Sequence, residues 1–232
     1  VIVLKNINKK FKNGKLHVLK DINLEIMNGE FVTICGPSGH GKSTLLTILA
    51  MLDQADTGMY TIEDIDVSKL TLDKSAKVRS KHIGIIFQSF NLIGDYTVKE
   101  NVMLPLKYSP HISTAVHEQV FLKAMKDVGL EDKINEYPSN LSGGQQQRVA
   151  IARALVTSPS IIFADEPTGN LDSKNAQKIL ELLKTLNNDG VTVCMVTHDQ
   201  NIATQSDRII NIHDGVVKAD SSERNEVCII KK

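Results

Sequence analysis

Tryptophan is absent, and the other aromatics are few: six Phe and four Tyr. So small a supply argues against the stacked aromatic platforms that hold single-stranded nucleic acid. An excess of charge is missing too. Lys plus Arg and Asp plus Glu each number 27 in 232 residues, so the chain lacks the basic bias of a free-standing polyanion binder. No nucleic-acid partner is expected. No apolar run approaches the ~18 residues of a membrane span; the longest are short pieces such as Ile83–Phe87 and Val193–Val196. The N-terminus carries no basic stretch followed by an apolar one, so no secretory signal is expected. Cysteine is confined to Cys35, Cys194 and Cys228, with no CxxC pair. The first two lie in apolar runs, which fits reduced core thiols of a cytosolic protein.

What is present is a globular composition, 41% hydrophobic and 23% charged. Short β-rich runs alternate with helical ones, the pattern of an α/β domain with a mostly parallel sheet. Phe31–Cys35, Ile83–Phe87, Ser160–Ala164, Val191–Val196 and Arg208–Ile212 are apolar runs that suit strands buried on both faces. Ser43–Leu52 and Ser173–Asn187 read as helices; in the second, Ile179, Leu180, Leu183 and Leu186 share one face. Ile2–Ile7 and Val18–Ile26 alternate around a turn at Asn13-Gly14, and with Gly58–Ile65 they predict a smaller antiparallel sheet. The stretch 91–159 has helical patterns, best at Ala115–Val128 and Ser142–Val156, and reads as a helical subdomain inserted between two strands. The whole chain, 1–232, is expected to be one domain. Ser221–Lys232 reads as a short tail or edge strand without a role.

Gly36-Pro37-Ser38-Gly39-His40-Gly41-Lys42-Ser43-Thr44 matches GxxxxGK[ST]. Glycines let the backbone turn tightly and aim consecutive N–H groups at phosphate oxygens. The helix that follows presents its positive end to the same anion. Lys42 can reach the outer phosphates, and the Ser43 hydroxyl can serve Mg2+. A buried strand before the loop and a helix after it supply the required context.

Ile161-Ile162-Phe163-Ala164 runs into two acids, Asp165 and Glu166. Ligands of parallel sheets gather at such strand ends. Asp165 would hold Mg2+ directly or through water, and Glu166 would act on the attacking water as base or as its orienter. A further anion site is written in Leu141-Ser142-Gly143-Gly144-Gln145, just before a helix: hydroxyl, N–H groups and helix dipole converge there.

With these segments in this order, the chain resembles the ATP-binding cassette (ABC) nucleotide-binding subunits over nearly its whole length. The resemblance implies a P-loop NTPase core with a small antiparallel β-subdomain and a helical insertion, binding ATP with Mg2+ and hydrolysing it. By the same resemblance, Gln88 contacts Mg2+ and water and senses the membrane partner, Asp172 lies at a dimer interface, and His198 contacts the γ-phosphate. Phe11 stands where the family places an adenine-stacking aromatic, usually Tyr, and His40 stands where it usually has Ser. Phe87-Gln88-Ser89-Phe90-Asn91-Leu92, Thr97–Leu106, Asp165–Asp172 and the triple Gln145-Gln146-Gln147 look like the branch that releases lipoproteins and exports macrolides or antimicrobial peptides. That branch implies a head-to-tail homodimer with ATP between the phosphate loop of one chain and Ser142-Gly143-Gly144-Gln145 of the other. It also implies a separate integral membrane permease subunit with an extracytoplasmic domain, docked in a cleft near Gln88–Val102, and a peripheral place on the inner face of the cell membrane.

Two other readings share the ATP residues. One is a mechanical signalling ATPase of the cell-division type, coupled to a membrane protein without transport; a coupled transport assay separates it. The other is a soluble non-transport cassette, which zero net charge and the lack of long coiled-coil heptads disfavour.

Overall fold

The computed structural model describes residues 1–12 and 14–221. Asn13 of the proposed turn and nearly all of the C-terminal tail lie outside the described residues. The chain opens with β1 (Ile2–Phe11), β2 (Leu16–Ile26) and β3 (Phe31–Cys35), followed by α1 (Lys42–Leu49). Next come β4 (Thr57–Ile62), β5 (Ile65–Asp66), α2 (Leu72–His82) and β6 (Ile83–Ile86). Three helices follow, α3 (Val98–Met103), α4 (His117–Asp127) and α5 (Gly143–Leu155), with short 3-10 turns between them. The remainder is β7 (Ile161–Asp165), α6 (Ser173–Asn188), β8 (Thr192–Thr197), α7 (Gln200–Ala203), β9 (Arg208–His213) and β10 (Val216–Asp220).

The strands form two sheets. One is antiparallel, in the order β2-β1-β4-β5. The other has the order β10-β9-β3-β8-β7-β6, parallel except for the β9–β10 hairpin at its edge. Alternation along the parallel strands divides the core in two, because successive side chains point to opposite faces. Ile161, Phe163, Cys194 and Val196 join α1 and the small sheet on one face. Ile162, Ala164, Val193 and Met195 join the buried stripe of α6 and the α3–α5 helices on the other. Cys35 and Cys194 are buried free thiols, and burial pushes them up to about 11 and about 12 respectively, which keeps both protonated and inert.

Boundaries differ from the sequence reading where local hydrogen bonds intervene. The first helix stops at Leu49 rather than Leu52. Met51 is left-handed (φ 55), its N–H reaches the Ile48 carbonyl, and the Leu52 N–H reaches Thr47 at 2.8 Å. That is a Schellman termination with methionine at the position glycine usually takes. Gln88 lies two residues beyond β6, in a turn, rather than at the strand end.

Candidate functional site

The phosphate loop leaves β3 at Gly36, whose φ is 151; a Cβ there would stand 2.0 Å from the Ile212 carbonyl oxygen of β9. Only glycine lets the loop lie so close to the neighbouring strand. Pro37, Ser38 and Gly39 are exposed, and Gly41 (φ 96) is the left-handed residue that starts α1. A Cβ on Gly41 would meet Leu19 at 2.9 Å and the Val18 carbonyl at 3.0 Å, so the loop also rests on β2. Lys42 is 7% exposed and its Nζ donates to the Pro37 carbonyl at 2.8 Å, which holds the cation across the loop mouth. Ser43 is exposed at the first turn of α1, and Thr44 beside it is half-buried.

β7 delivers Asp165 and Glu166 next to this loop. Asp165 accepts a hydrogen bond from Ser43, while its Oδ1 is buried without a hydrogen-bond partner. Burial and then the neighbouring Glu166 hold its carboxyl above the ordinary range, against the lowering effect of Ser43 and Lys42. An anionic oxygen without a donor, beside a serine hydroxyl, is a donor set suited to a hard divalent cation such as Mg2+.

Glu166 turns away from the strand in a left-handed conformation (φ 45), with its N–H on the Val196 carbonyl of β8. Its Oε1 lies 2.6 Å from His198 Nδ1 and accepts the His198 backbone N–H at 3.1 Å. Thr197 Oγ1 stands 3.4 Å from Oε2. The carboxylate is 14% exposed and the imidazole 61%. With Nδ1–H turned to a carboxylate, Nε2 is the ring nitrogen left for a substrate oxygen.

Gln88 packs its amide into the space above Gly169, where a Cβ would come within 2.8 Å of Nε2. Asn170 Nδ2 donates to the Gln88 carbonyl at 3.0 Å, tying the two loops together. Arg153 of α5, which the sequence reading did not single out, forks onto the Phe90 and Asn91 carbonyls at 2.8 and 2.6 Å. Phe90 and Asn91 are both left-handed (φ 60 and 50), so a planar five-donor side chain holds the turn after Gln88 in an uncommon conformation. Its only sequence signal is an arginine on the inner face of a helix.

Ser142 caps α5: its Oγ accepts the Gln145 N–H at 3.4 Å, and its own N–H donates to Gln145 Oε1 at 2.9 Å. Gly143 lies against Leu171 and Phe90, and a Cβ on Gly144 would stand 2.8 Å from the Asn175 amide. Asp172 caps α6, accepting the Asn175 N–H at 3.0 Å and its amide at 2.6 Å, contacts that hold its carboxyl below the ordinary range. Within one chain, therefore, Ser142–Gln145 neighbours α6, whereas the phosphate loop neighbours β2 and β9. Phe11 is exposed at the end of β1, where Lys9 Nζ lies 5.3 Å from its ring centroid. His40 turns its ring toward the β9–β10 turn, 4.4 Å from that of His213.

An open cavity of about 760 Å3 lies elsewhere, lined by α2, by Ile83 and Ile85 of β6, by Pro105–Pro110 and by Arg153. Of the segment Gln88–Val102 only Asn91 lines it, because the wall is made by α2 and the 3-10 turn after α3. Among the described residues no helix is long and apolar enough to cross a membrane.

The ABC transporter family profile matches residues 19–169. The uncharacterized ABC transporter ATP-binding protein MJ0796 of Methanocaldococcus jannaschii is 49% identical over 230 residues, 97% of this chain and 98% of that protein. A dimeric post-hydrolysis structure of MJ0796 with ADP and Pi superposes with a TM-score of 0.86 at 47% identity, covering 95% of this chain and 97% of that one. The macrolide export ATP-binding/permease protein MacB of Psychrobacter cryohalolentis is 48% identical over 219 residues, 94% of this chain but 33% of the relative, so the chain spans about a third of that protein's length. Family profile, full-length sequence match and superposed fold agree: this chain belongs to the ABC transporter family, as an ATP-binding cassette of the MJ0796 and MacB kind.

Proposed function

We propose that this chain is the ATP-hydrolysing nucleotide-binding subunit of an ABC exporter or extractor. Two copies close head to tail around ATP, and their opening and closing drive a membrane permease subunit with an extracytoplasmic domain. The observation that carries the ATPase reading is the meeting of Lys42, Asp165, Glu166 and His198 at the ends of three adjacent parallel strands.

Phosphoryl transfer needs positioning and charge stabilisation above all. The loop N–H groups from Gly39 to Thr44 and the start of α1 would cradle the phosphates. Lys42 would exchange the Pro37 carbonyl for phosphate oxygens, turning a loop contact into a substrate contact. Ser43, Asp165 and Gln88 would hold Mg2+, which when bound neutralises charge on the phosphates. Glu166 would accept the hydrogen bond of the attacking water, and Thr197 and the His198 N–H fix its carboxylate for that task. His198 would offer Nε2 to the γ-phosphate while Nδ1 stays on Glu166, coupling substrate recognition to the group that handles water. Phe11 would stack on the adenine base, and Ser142-Gly143-Gly144-Gln145 and Asp172 of a second copy would complete the site. The Pro105–Pro110 cavity would receive a short cytoplasmic helix of the permease, next to the turn that Arg153 holds beside Gln88.

The test is Glu166→Gln. Steady-state ATP turnover should fall at least 100-fold, as expected when a group acting on the nucleophile is lost, while ATP binding persists. The tagged variant, trapped with ATP, should bring a multi-span membrane protein out of detergent-solubilised membranes. Equal turnover in wild type and variant would remove Glu166 from the mechanism. A stable ATP-dependent homodimer without any membrane protein would contradict the permease assignment.

A further inference from the structure

His40 projects from the phosphate loop onto the turn between β9 and β10, where two more potential ligands wait. His40 Nδ1 lies 3.2 Å from Asp214 Oδ1, and His213 Nδ1 lies 3.1 Å from Asp214 Oδ2. The two imidazoles face each other at 4.4 Å between centroids. One ligand atom from each of the three residues falls within 4.8 Å of the others, the one such His/Cys/Asp/Glu group found among the described residues. Tetrahedral Zn2+ with bonds of ~2.0–2.1 Å places its donors roughly 3.3 Å apart, so modest side-chain rotation brings the three to bonding distance.

The scaffold beneath them is tight. The Asp214 backbone N–H donates to His40 Nδ1 at 2.9 Å, a bond that a metal on Nδ1 would replace, and the Gly215 N–H donates to the His40 carbonyl at 3.3 Å. Asp214 (φ 50) and Gly215 (φ 77) are both left-handed, the conformation of a tight hairpin turn, which fixes where the carboxylate emerges. His40 is 23% exposed, His213 53% and Asp214 66%, so an ion can enter from solvent and keep water as a fourth ligand. Two imidazoles and one carboxylate favour the later first-row divalent ions over Mg2+ or Ca2+, which take oxygen-rich sites.

We infer that His40, His213 and Asp214 form a binding site for a divalent transition metal of the Zn2+ class, which clamps the phosphate loop to the β9–β10 turn. Such a site shares no residue with the Ser43–Asp165 cation position, and it lies where the phosphate loop meets the β9–β10 turn. A metal bound there links residues about 170 positions apart in sequence, and binding to the folded form alone stabilises it.

The test uses the nucleotide-free chain with any affinity tag removed. Equilibrium dialysis with Zn2+ should give one strongly held ion per chain, and Co2+ should give the visible absorption of a tetrahedral site. Zn2+ should raise the thermal midpoint of the wild type. His40→Ser and, independently, His213→Asn should each lower Zn2+ affinity about tenfold or more and abolish both the Co2+ spectrum and the thermal shift. Circular dichroism checks that both variants fold. Zn2+ affinity or Co2+ spectra unchanged in the two folded variants would overturn the assignment, as would the absence of any wild-type site at micromolar Zn2+.

Discussion

At the scale of single residues, Asp165 carries a conflict between folding and function. One of its oxygens is buried without a partner, and its carboxyl sits above the ordinary range because burial and Glu166 both oppose its charge. Between the ordinary value of 3.8 and that raised value the folded chain binds more protons than the unfolded chain. Stability from this group is therefore lost as pH rises through the window, and at neutral pH the charge is a net burden until a cation arrives. Asp165→Asn is expected to raise the melting temperature of the nucleotide-free protein at pH 7 by about 2–4 °C, the shift that ~1 kcal/mol produces in a chain of this size. The same change should abolish Mg2+-dependent ATP turnover. Thermal melts at pH 7 and near pH 4 check the first part: the advantage should shrink at the lower pH, and an advantage that grew there would contradict the account. Lys42 belongs to the same scale. Its ammonium donates to the Pro37 carbonyl, which ties the side chain back across the loop.

At the scale of elements, the start of α5 and the start of α6 are locked together. Gly144 lies where a Cβ would press on Asn175, and Asn175 in turn holds the Asp172 cap of α6. Gly144→Ala should push the amide off Asp172 and cost roughly 1–2 kcal/mol, the range of a lost cap. ATP-driven dimerisation should weaken while monomeric ATP binding at the phosphate loop is kept; size-exclusion chromatography with and without ATP, beside a denaturant melt, measures both. The elements themselves were largely legible. The five buried parallel strands appear within about a residue or two of the apolar runs, because a strand covered on both faces needs an unbroken apolar segment. α2 was not legible: in Leu72–His82 only Ser75 is buried, so no apolar stripe marks the helix. β10 was also missed, although Asp214-Gly215 is a hairpin signal, since its strand is only half-buried. The phosphate-loop motif, the Asp165-Glu166 strand end and Leu141–Gln145 are each contiguous in sequence, so their positions on strand ends and helix starts can be read without the fold. Arg153 on the Phe90 and Asn91 carbonyls, and His40 beside His213 and Asp214, join residues distant in sequence and emerge only with the fold.

At the scale of the whole molecule, the two helix starts proposed to hold phosphate lie in different surroundings. The loop before α1 is set against β2 and the edge of the parallel sheet, while the start of α5 is set against α6 on the helical side. The loops around Gln88 and Asn170 connect these two halves, since the Gln88 amide fills the space at Gly169 and Asn170 binds the Gln88 carbonyl. In the proposed dimer a complete ATP site would take its phosphate loop from one copy and Ser142–Gln145 from the other, and hydrolysis would release the join. A mixing experiment tests this most directly. Lys42→Ala and Gly144→Asp are each expected to be inactive as homodimers, because every site carries one defect. In a mixed dimer both defects fall in one site and the other is intact. Turnover of an equimolar mixture should rise well above the sum of the two variants measured alone. A mixture no more active than that sum, with heterodimers demonstrated by differential tagging, would contradict a site shared between two chains.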